Sequence, residues 1–292
     1  MLLPKFDFHE PASVAEACQM MGEFGANARL IAGGTDLMVN MKHGVMSPKH
    51  VVSLSRVDEL KDISLSGNQW KIGACFTVAD LAESDEIGKK LSALRTGAKA
   101  LGSPLIRNLA TIGGNIGTAR PAADLPPSLM AYDAKVILQK STGQRTVGLN
   151  DFFKGPGLTE MGPDEILTQI QIDAPPPCSG CGYINLGVRA AQDCNLVNVA
   201  SFMSLDAPDG VIQTARIIMG CVGPTHLRAR SAEKMLMGEK PSEALFVKAG
   251  EAAMGDCSPI DDFRGSAEYK KAMVGVLTKR TLGIAWKTMN NE

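Results

Sequence analysis

Val14, Ala17, Cys18 and Met21 recur at the interval that lines one face of an α-helix. Ser13 and Glu16 stand at capping-box spacing just ahead, so the pattern predicts a helix opened by Ser13 and ended by Gly25. Arg29-Leu30-Ile31-Ala32 is a short apolar run suited to a buried strand. Beyond Gly33-Gly34, Thr35 is placed to cap a second short helix carrying Leu37, Met38 and Met41 until Gly44 stops it. Val51-Val52-Ser53-Leu54 supplies the next strand. This alternation of β and α favours parallel pairing and puts Gly33 and Gly34 on a strand-to-helix turn.

Farther on, Ile87, Leu91, Leu94, Ala98 and Leu101 read as one helical pattern, broken at Gly102-Ser103-Pro104. A second glycine pair follows, in Thr111-Ile112-Gly113-Gly114-Asn115-Ile116-Gly117, with Arg107 and Asn108 just ahead of it. Pro121, Pro126 and Pro127 enclose Asp124. Residues 135–138, 145–147 and 166–172 then read as strands of a hairpin-rich second lobe. Pro175-Pro176-Pro177-Cys178-Ser179-Gly180 continues neither helix nor ladder, and it divides the chain into 1–176 and 177–292. The second part carries two long strands, Asn195 to Leu205 and Gly210 to Gly220, around an Ala207-Pro208-Asp209-Gly210 turn. Helices are expected near Ala232 to Met237, from Ser242 to Met254 and after Gly265-Ser266, the last burying Tyr269, Ala272, Met273, Val276 and Leu277.

A length of 292 residues favours two domains over one core. Thirty Lys plus Arg against 31 Asp plus Glu leave a net charge of -1, which provides no field for gathering nucleic acid. No uninterrupted apolar stretch approaches the ~20 residues of a membrane span, and the start Met-Leu-Leu-Pro-Lys lacks a signal pattern. A cytoplasmic location is the expectation. Seven scattered cysteines are an odd number and read as reduced thiols. Cys178 and Cys181 have C-x-x-C spacing, yet no second pair or His cluster supplies four metal ligands. His9, His43, His50 and His226 show no ligand spacing, and the 15 methionines read as core filler.

The two glycine pairs carry the candidate chemistry. Paired glycines let backbone N–H groups turn toward one anion, so the two loops read as halves of a cradle for a dinucleotide diphosphate. Neither fits G-x-G-x-x-G, and no G-x-x-x-x-G-K-[ST] loop is present. The cradle therefore belongs to an architecture other than a Rossmann domain or a P-loop.

Phe6 with Pro11 and Ser13, Ala32 to Leu37, Lys71-Ile72-Gly73-Ala74 with Thr77 and Leu81, and Ile106 to Asn115 recur in that order. Pro121-Ala122-Ala123-Asp124-Leu125, Gly223-Pro224-Thr225 and Pro259 to Tyr269 complete the series. With these motifs over nearly its whole length, the chain resembles the FAD-binding middle subunit of the molybdenum hydroxylases, the carbon monoxide dehydrogenase and xanthine dehydrogenase type. The resemblance implies an α+β fold: a two-lobed FAD-binding domain of the PCMH type, then a C-terminal domain with an antiparallel sheet packed on helices. It also implies that Ile31, Ala32, Gly33, Gly34, Thr35, Asp36 and Leu37, with Arg107, Asn108, Thr111, Ile112, Gly113, Gly114 and Asn115, surround the FAD diphosphate. The first loop would act through N–H groups and the second also through the Thr111 hydroxyl. Asp124 matches an aspartate near the ribose end, Leu101 and Leu167 match apolar neighbours of the cofactor, and Asp193-Cys194-Asn195 would lie near the isoalloxazine ring. Many relatives carry a lysine at the position of Asn185, so one cation beside the flavin is replaced here by a neutral amide.

By the same resemblance, a large molybdopterin subunit takes electrons from an organic substrate and a small subunit with two 2Fe-2S clusters carries them. FAD on this chain passes them to an acceptor such as NAD, and no catalytic side chain is required. Three other readings stand beside it. A flavin subunit of the hydroxybenzoyl-CoA reductase kind carries an inserted four-cysteine segment, and no cysteine lies between Asn115 and Cys178. A stand-alone FAD-dependent oxidase would turn over without partners, and a binding module with a degenerate cradle would hold no flavin.

Overall fold

In the computed structural model, which describes residues 2–189 and 192–289, the Ser13 hydroxyl accepts the Glu16 N–H at 3.2 Å and opens α1 (Val14–Phe24). The buried side chains of α1 are Val14, Ala17, Cys18 and Met21, the four that its spacing singles out. Glu16 reaches back to the Ala12 N–H at 2.8 Å, one residue before the cap. Gly25 ends the helix at φ 49°, where a side chain is disfavoured. Strands β1 (Asp7–His9), β2 (Ala28–Ile31) and β3 (His50–Ser53) form a parallel sheet in the order β1-β3-β2. Helix α2 (Leu37–Lys42) follows β2, but Thr35 does not cap it. Gly34, at φ 70°, turns the chain straight into the helix, and Met38 N–H bonds the Gly34 carbonyl at 3.1 Å. The N-cap residue is Asp36, already helical in its backbone and making no capping bond.

The second lobe is a five-stranded antiparallel sheet in the order β4-β5-β10-β6-β7. Its strands are β4 (Ile63–Ser66), β5 (Gln69–Gly73), β6 (Lys135–Lys140), β7 (Gly143–Gly148) and, beyond the small hairpin of β8 (Phe153–Gly155) and β9 (Leu158–Thr159), β10 (Ile166–Asp173). Between β5 and β6 the chain runs through α3 (Val78–Glu83), α4 (Asp85–Lys90), α5 (Ser92–Ala100), α6 (Pro104–Arg107), α7 (Ile112–Gly117) and α8 (Leu125–Ala131), with α9 (Leu149–Phe152) after β7. The single helix expected from Ile87 to Leu101 is thus two. Leu91 breaks it at φ -128° and ψ 51° while staying fully buried, which keeps Ile87, Leu91 and Leu94 in one core.

The C-terminal part is an antiparallel sheet of β11 (Ser179–Leu186), β12 (Val197–Leu205), β13 (Ile212–Gly220) and β14 (Leu227–Arg228), with α10 (Arg230–Leu236), α11 (Glu243–Ala253) and α12 (Ala267–Met289). The turn after β12 forms as expected, with Gly210 N–H on the Ala207 carbonyl at 2.9 Å. Ser242 caps α11 through the Leu245 N–H. The buried face of α12 differs from the expected one: Lys270, Val274, Leu277, Thr278, Thr281, Leu282 and Ala285 are inside, whereas Tyr269, Ala272 and Val276 are exposed. Polar residues hold this contact. Thr281 Oγ1 lies 2.7 Å from Ser201 Oγ, and Lys270 Nζ meets Asp262 at 2.9 Å and the Ile260 carbonyl at 2.8 Å. Gly180 and Gly182 of β11 let the helix backbone at Ala285 and Thr281 approach where any Cβ would collide.

The seam between the second lobe and the C-terminal sheet has an apolar centre. Cys181, Tyr183, Ala200, Phe202 and Ile218 share a cluster with Leu94, Leu125, Leu129 and Met130. Burial on this scale favours a fixed relation between the parts, because each buried large side chain contributes about 1.5–3 kcal/mol.

Candidate functional site

The two glycine loops meet. A Cβ on Gly33 would collide with the Leu109 carbonyl oxygen and lie 2.5 Å from its carbon. Only glycine allows the first loop to lie against the chain that enters the second. Ile31 to Met38 are all half-buried, as the wall of a cleft would be. Among the described residues, the N–H groups of Gly33, Gly34, Thr35 and Asp36 have no protein acceptor. Consecutive unpaired N–H groups beside a residue at positive φ form an anion-binding concavity.

The second loop departs from expectation. Its N–H groups are spent within the protein: Ile112 on the Phe76 carbonyl at 3.0 Å, Gly113 on Ala74 at 2.8 Å, and Asn115 on Thr111 at 2.9 Å. Gly114 N–H is taken by the Thr111 hydroxyl oxygen at 3.0 Å, which makes Thr111 the N-cap of α7. Gly113 serves packing instead, since a Cβ there would sit 2.6 Å from the Ala74 methyl. The two expected halves of the cradle therefore differ, because only the first loop keeps its N–H groups unpaired among the described residues. What the second loop offers is side chains. The Thr111 hydroxyl, accepting from Gly114, keeps its proton to donate, and Asn115 Oδ1 is buried without a partner among the described residues.

Arg107 also differs from its expected place at the diphosphate. Its guanidinium donates to the carbonyls of Lys99 at 3.2 Å and Leu101 at 3.0 Å, closing the end of α5. Asn108 is exposed at the end of α6. Leu101 and Leu167 are buried in the apolar cluster that holds Ile112 and Ile116 of α7.

Asp124 is buried, and its Oδ1 accepts two hydrogen bonds from the C-terminal part: Asn195 Nδ2 at 2.7 Å and the Tyr183 hydroxyl at 3.0 Å. Burial pushes the Asp124 carboxyl up, while the Asn195 and Tyr183 bonds act to lower it. Asn198 adds bonds to the Ala123 carbonyl at 3.0 Å and the Tyr183 oxygen at 3.3 Å. Asn185 is exposed at the rim, its amide donating to Asn195 Oδ1 at 3.1 Å. Asp193 accepts the N–H groups of Arg189 and Cys194, and the Arg189 N–H chiefly holds its carboxyl below the usual range. Tyr183 and Asn198 were not among the expected site residues, and Asn195, expected near the isoalloxazine ring, has its amide on the Asp124 carboxylate. The only sequence signal is polar side chains within otherwise buried strands.

These groups fit FAD. Unpaired N–H groups suit diphosphate oxygens, while the buried Asn115 Oδ1 and the Asp124 carboxylate suit hydroxyl donors. No cluster of three or more His, Cys, Asp or Glu suited to a metal occurs among the described residues. The family model for the FAD binding domain in molybdopterin dehydrogenase matches residues 4–175, and that for the CO dehydrogenase flavoprotein C-terminal domain matches residues 183–285. The carbon monoxide dehydrogenase medium chain of Hydrogenophaga pseudoflava is 34% identical over 98% of this chain and 99% of its own. A xanthine dehydrogenase FAD-binding subunit of Escherichia coli O157:H7 is 29% identical over 96% of this chain and 97% of its own. Among solved structures, a chain of a Hydrogenophaga pseudoflava carbon monoxide dehydrogenase superposes with a TM-score of 0.94 at 34% identity, covering 99% of both chains. The chain belongs to the FAD-binding medium subunits of the molybdenum hydroxylases, oxidoreductase subunits whose cofactor is FAD.

Proposed function

We propose that this chain carries electrons from a small 2Fe-2S subunit to an external acceptor such as NAD, within a complex whose large molybdopterin subunit oxidises the organic substrate. Residues 1–176 act as the flavin-binding domain and residues 177–292 as the domain that closes its seam. The single observation that supports this reading most is the meeting of the glycine loops at Gly33 and Leu109, with unpaired N–H groups beside it. Relatives named as medium chains or FAD subunits of multi-subunit dehydrogenases support the presence of partners. A cytoplasmic location fits cysteines that are all free thiols, and no described helix is long and apolar enough to cross a membrane.

In this reading Gly33 to Leu37 hold the diphosphate through N–H groups. Thr111 and Asn115 orient the cofactor by a donated and an accepted hydrogen bond, and Asp124 accepts from a hydroxyl near the ribose end. Leu101 and Leu167 back the site and keep water from it. FAD, when bound, supplies redox chemistry in one- or two-electron steps, and the protein supplies orientation, exclusion and electrostatics. Asn185 leaves the rim without the cation that many relatives place there. The test is purification of the chain with the products of neighbouring genes. FAD, iron and molybdenum in one complex, with flavin bleached by substrate and recoloured by acceptor, are expected. Turnover of a small substrate by the isolated flavin-loaded chain contradicts the proposal and favours a stand-alone oxidase.

A further inference from the structure

Asp124 belongs to the flavin-binding part of the chain, yet the side chains that orient its carboxylate come from the C-terminal part. Tyr183 on β11 and Asn195 ahead of β12 both donate to Oδ1, at 3.0 Å and 2.7 Å. Asn195 is itself fixed from three sides, since its amide also donates to the Ala122 carbonyl at 3.0 Å and its Oδ1 accepts from Asn185 at 3.1 Å. Asn198 pins the Tyr183 oxygen at 3.3 Å and the Ala123 carbonyl at 3.0 Å. Tyr183, Asn195 and Asn198 are 3%, 4% and 0% exposed, so this is a buried network rather than a set of surface contacts.

Two features separate this arrangement from ordinary packing. Both bonds fall on one oxygen, and among the described residues no side chain donates to Oδ2. The described residues also place no cation in a salt bridge with Asp124, so its charge is held by neutral donors alone. A carboxylate held this way has a fixed direction and keeps its strength as an acceptor, where an arginine or lysine partner would have occupied it. We propose that Tyr183 and Asn195 are positioning residues, through which the C-terminal domain aims Asp124 Oδ2 at a hydroxyl of FAD bound across the seam. The inference rests on the flavin reading above and extends it. The C-terminal domain becomes part of the cofactor's binding energy although neither residue is required to touch the cofactor.

The test is a double-mutant cycle on the full chain, with FAD affinity measured by flavin fluorescence and the thermal midpoint of the FAD-free protein measured in parallel. Tyr183→Phe removes one hydroxyl and keeps the ring in its cluster. It is expected to weaken FAD binding about tenfold, the usual worth of a hydrogen bond to a charged group, and to alter the visible circular dichroism of the bound flavin. In an Asp124→Ala background the same change is expected to weaken binding less than twofold, because its target is gone. Asn195→Ser provides a second entry to the cycle with the same expected coupling, should Tyr183→Phe impair folding. An undiminished effect in the Asp124→Ala background, or unchanged affinity and dichroism in the single variants, overturns the inference while leaving the flavin reading intact. A natural chain that takes up no FAD overturns both.

Discussion

Gly33→Ala isolates the contact on which the site depends. Cβ contacts under 3.0 Å are essentially unseen, and an alanine here would lie 2.5 Å from the Leu109 carbonyl carbon and closer still to its oxygen. Both partners are backbone, so no side chain can swing aside, and the loops must part by about an ångström or more to relieve the Leu109 oxygen. Overpacking of this kind costs about 1–3 kcal/mol, equivalent to a lower Tm by roughly 2–8 °C in a chain of this size. The larger effect falls on the cofactor. N–H groups displaced from phosphate oxygens lose charge-assisted bonds worth about 1.5–3 kcal/mol each, so loss of one weakens FAD binding between about tenfold and a hundredfold. Isothermal titration of the FAD-free chain measures that change. Gly22→Ala is the control, because it lies within α1 with nothing inside 4 Å of a new Cβ, and it is expected to raise stability by about 0.5–1 kcal/mol without changing FAD affinity. A Gly33→Ala chain with natural Tm and natural affinity would refute the claim that the loops meet at this residue.

Other consequences are equally open to measurement. His226 is buried, and burial holds its pKa down at about 4, with the Ala123 backbone acting more weakly in the opposite sense. The unfolded chain then binds a proton between pH 6.5 and about 4 that the folded chain refuses. Stability should therefore fall as pH drops through that window, by up to about 3 kcal/mol, and denaturant titrations of His226→Leu should lack this component of the slope. Glu165, held below the usual carboxylate range chiefly by Arg145, contributes stability above the ordinary glutamate range that is lost on further acidification. Thermal melts of Glu165→Gln against pH should show a shallower acid limb, with the exposed side of the pair keeping the effect modest. Arg107→Ala should cost about 1 kcal/mol through loss of the α5 closure and leave FAD affinity within twofold, where a diphosphate ligand would lose far more. Gly182→Ala should destabilise the chain by forcing β11 away from the Thr281 carbonyl, with the loss read as a lower Tm.

What was legible in the sequence follows from which interactions are local. Helix α1 packs one apolar stripe and carries its own cap, so spacing alone identified its four buried residues. Helix α12 packs through Lys270 and Thr281, whose burial depends on Asp262, Ile260 and Ser201 elsewhere in the chain, and an apolar rule therefore misplaces its face. Glycine is ambiguous in the same sense. Gly33 and Gly113 both permit close approach, yet only the first loop leaves its amides unpaired, a difference set by the carbonyls of Ala74 and Phe76 in the segment after β5. Arg107 reads as an anion ligand in the sequence because its charge is visible there, whereas the Lys99 and Leu101 carbonyls it bonds are not. The network around Asp124 joins residues 59 and 71 positions apart, and no periodicity encodes such pairs.

The most direct measurement is the backbone amide spectrum of the isotopically labelled chain during titration with FAD. The account predicts that the amide signals of Gly33, Gly34, Thr35 and Asp36 move together and saturate at one equivalent, while Ile112 and Gly113, already bonded to Phe76 and Ala74, keep their hydrogen-bonded positions. FAD binding that leaves the Gly33 to Asp36 amides unmoved would contradict it.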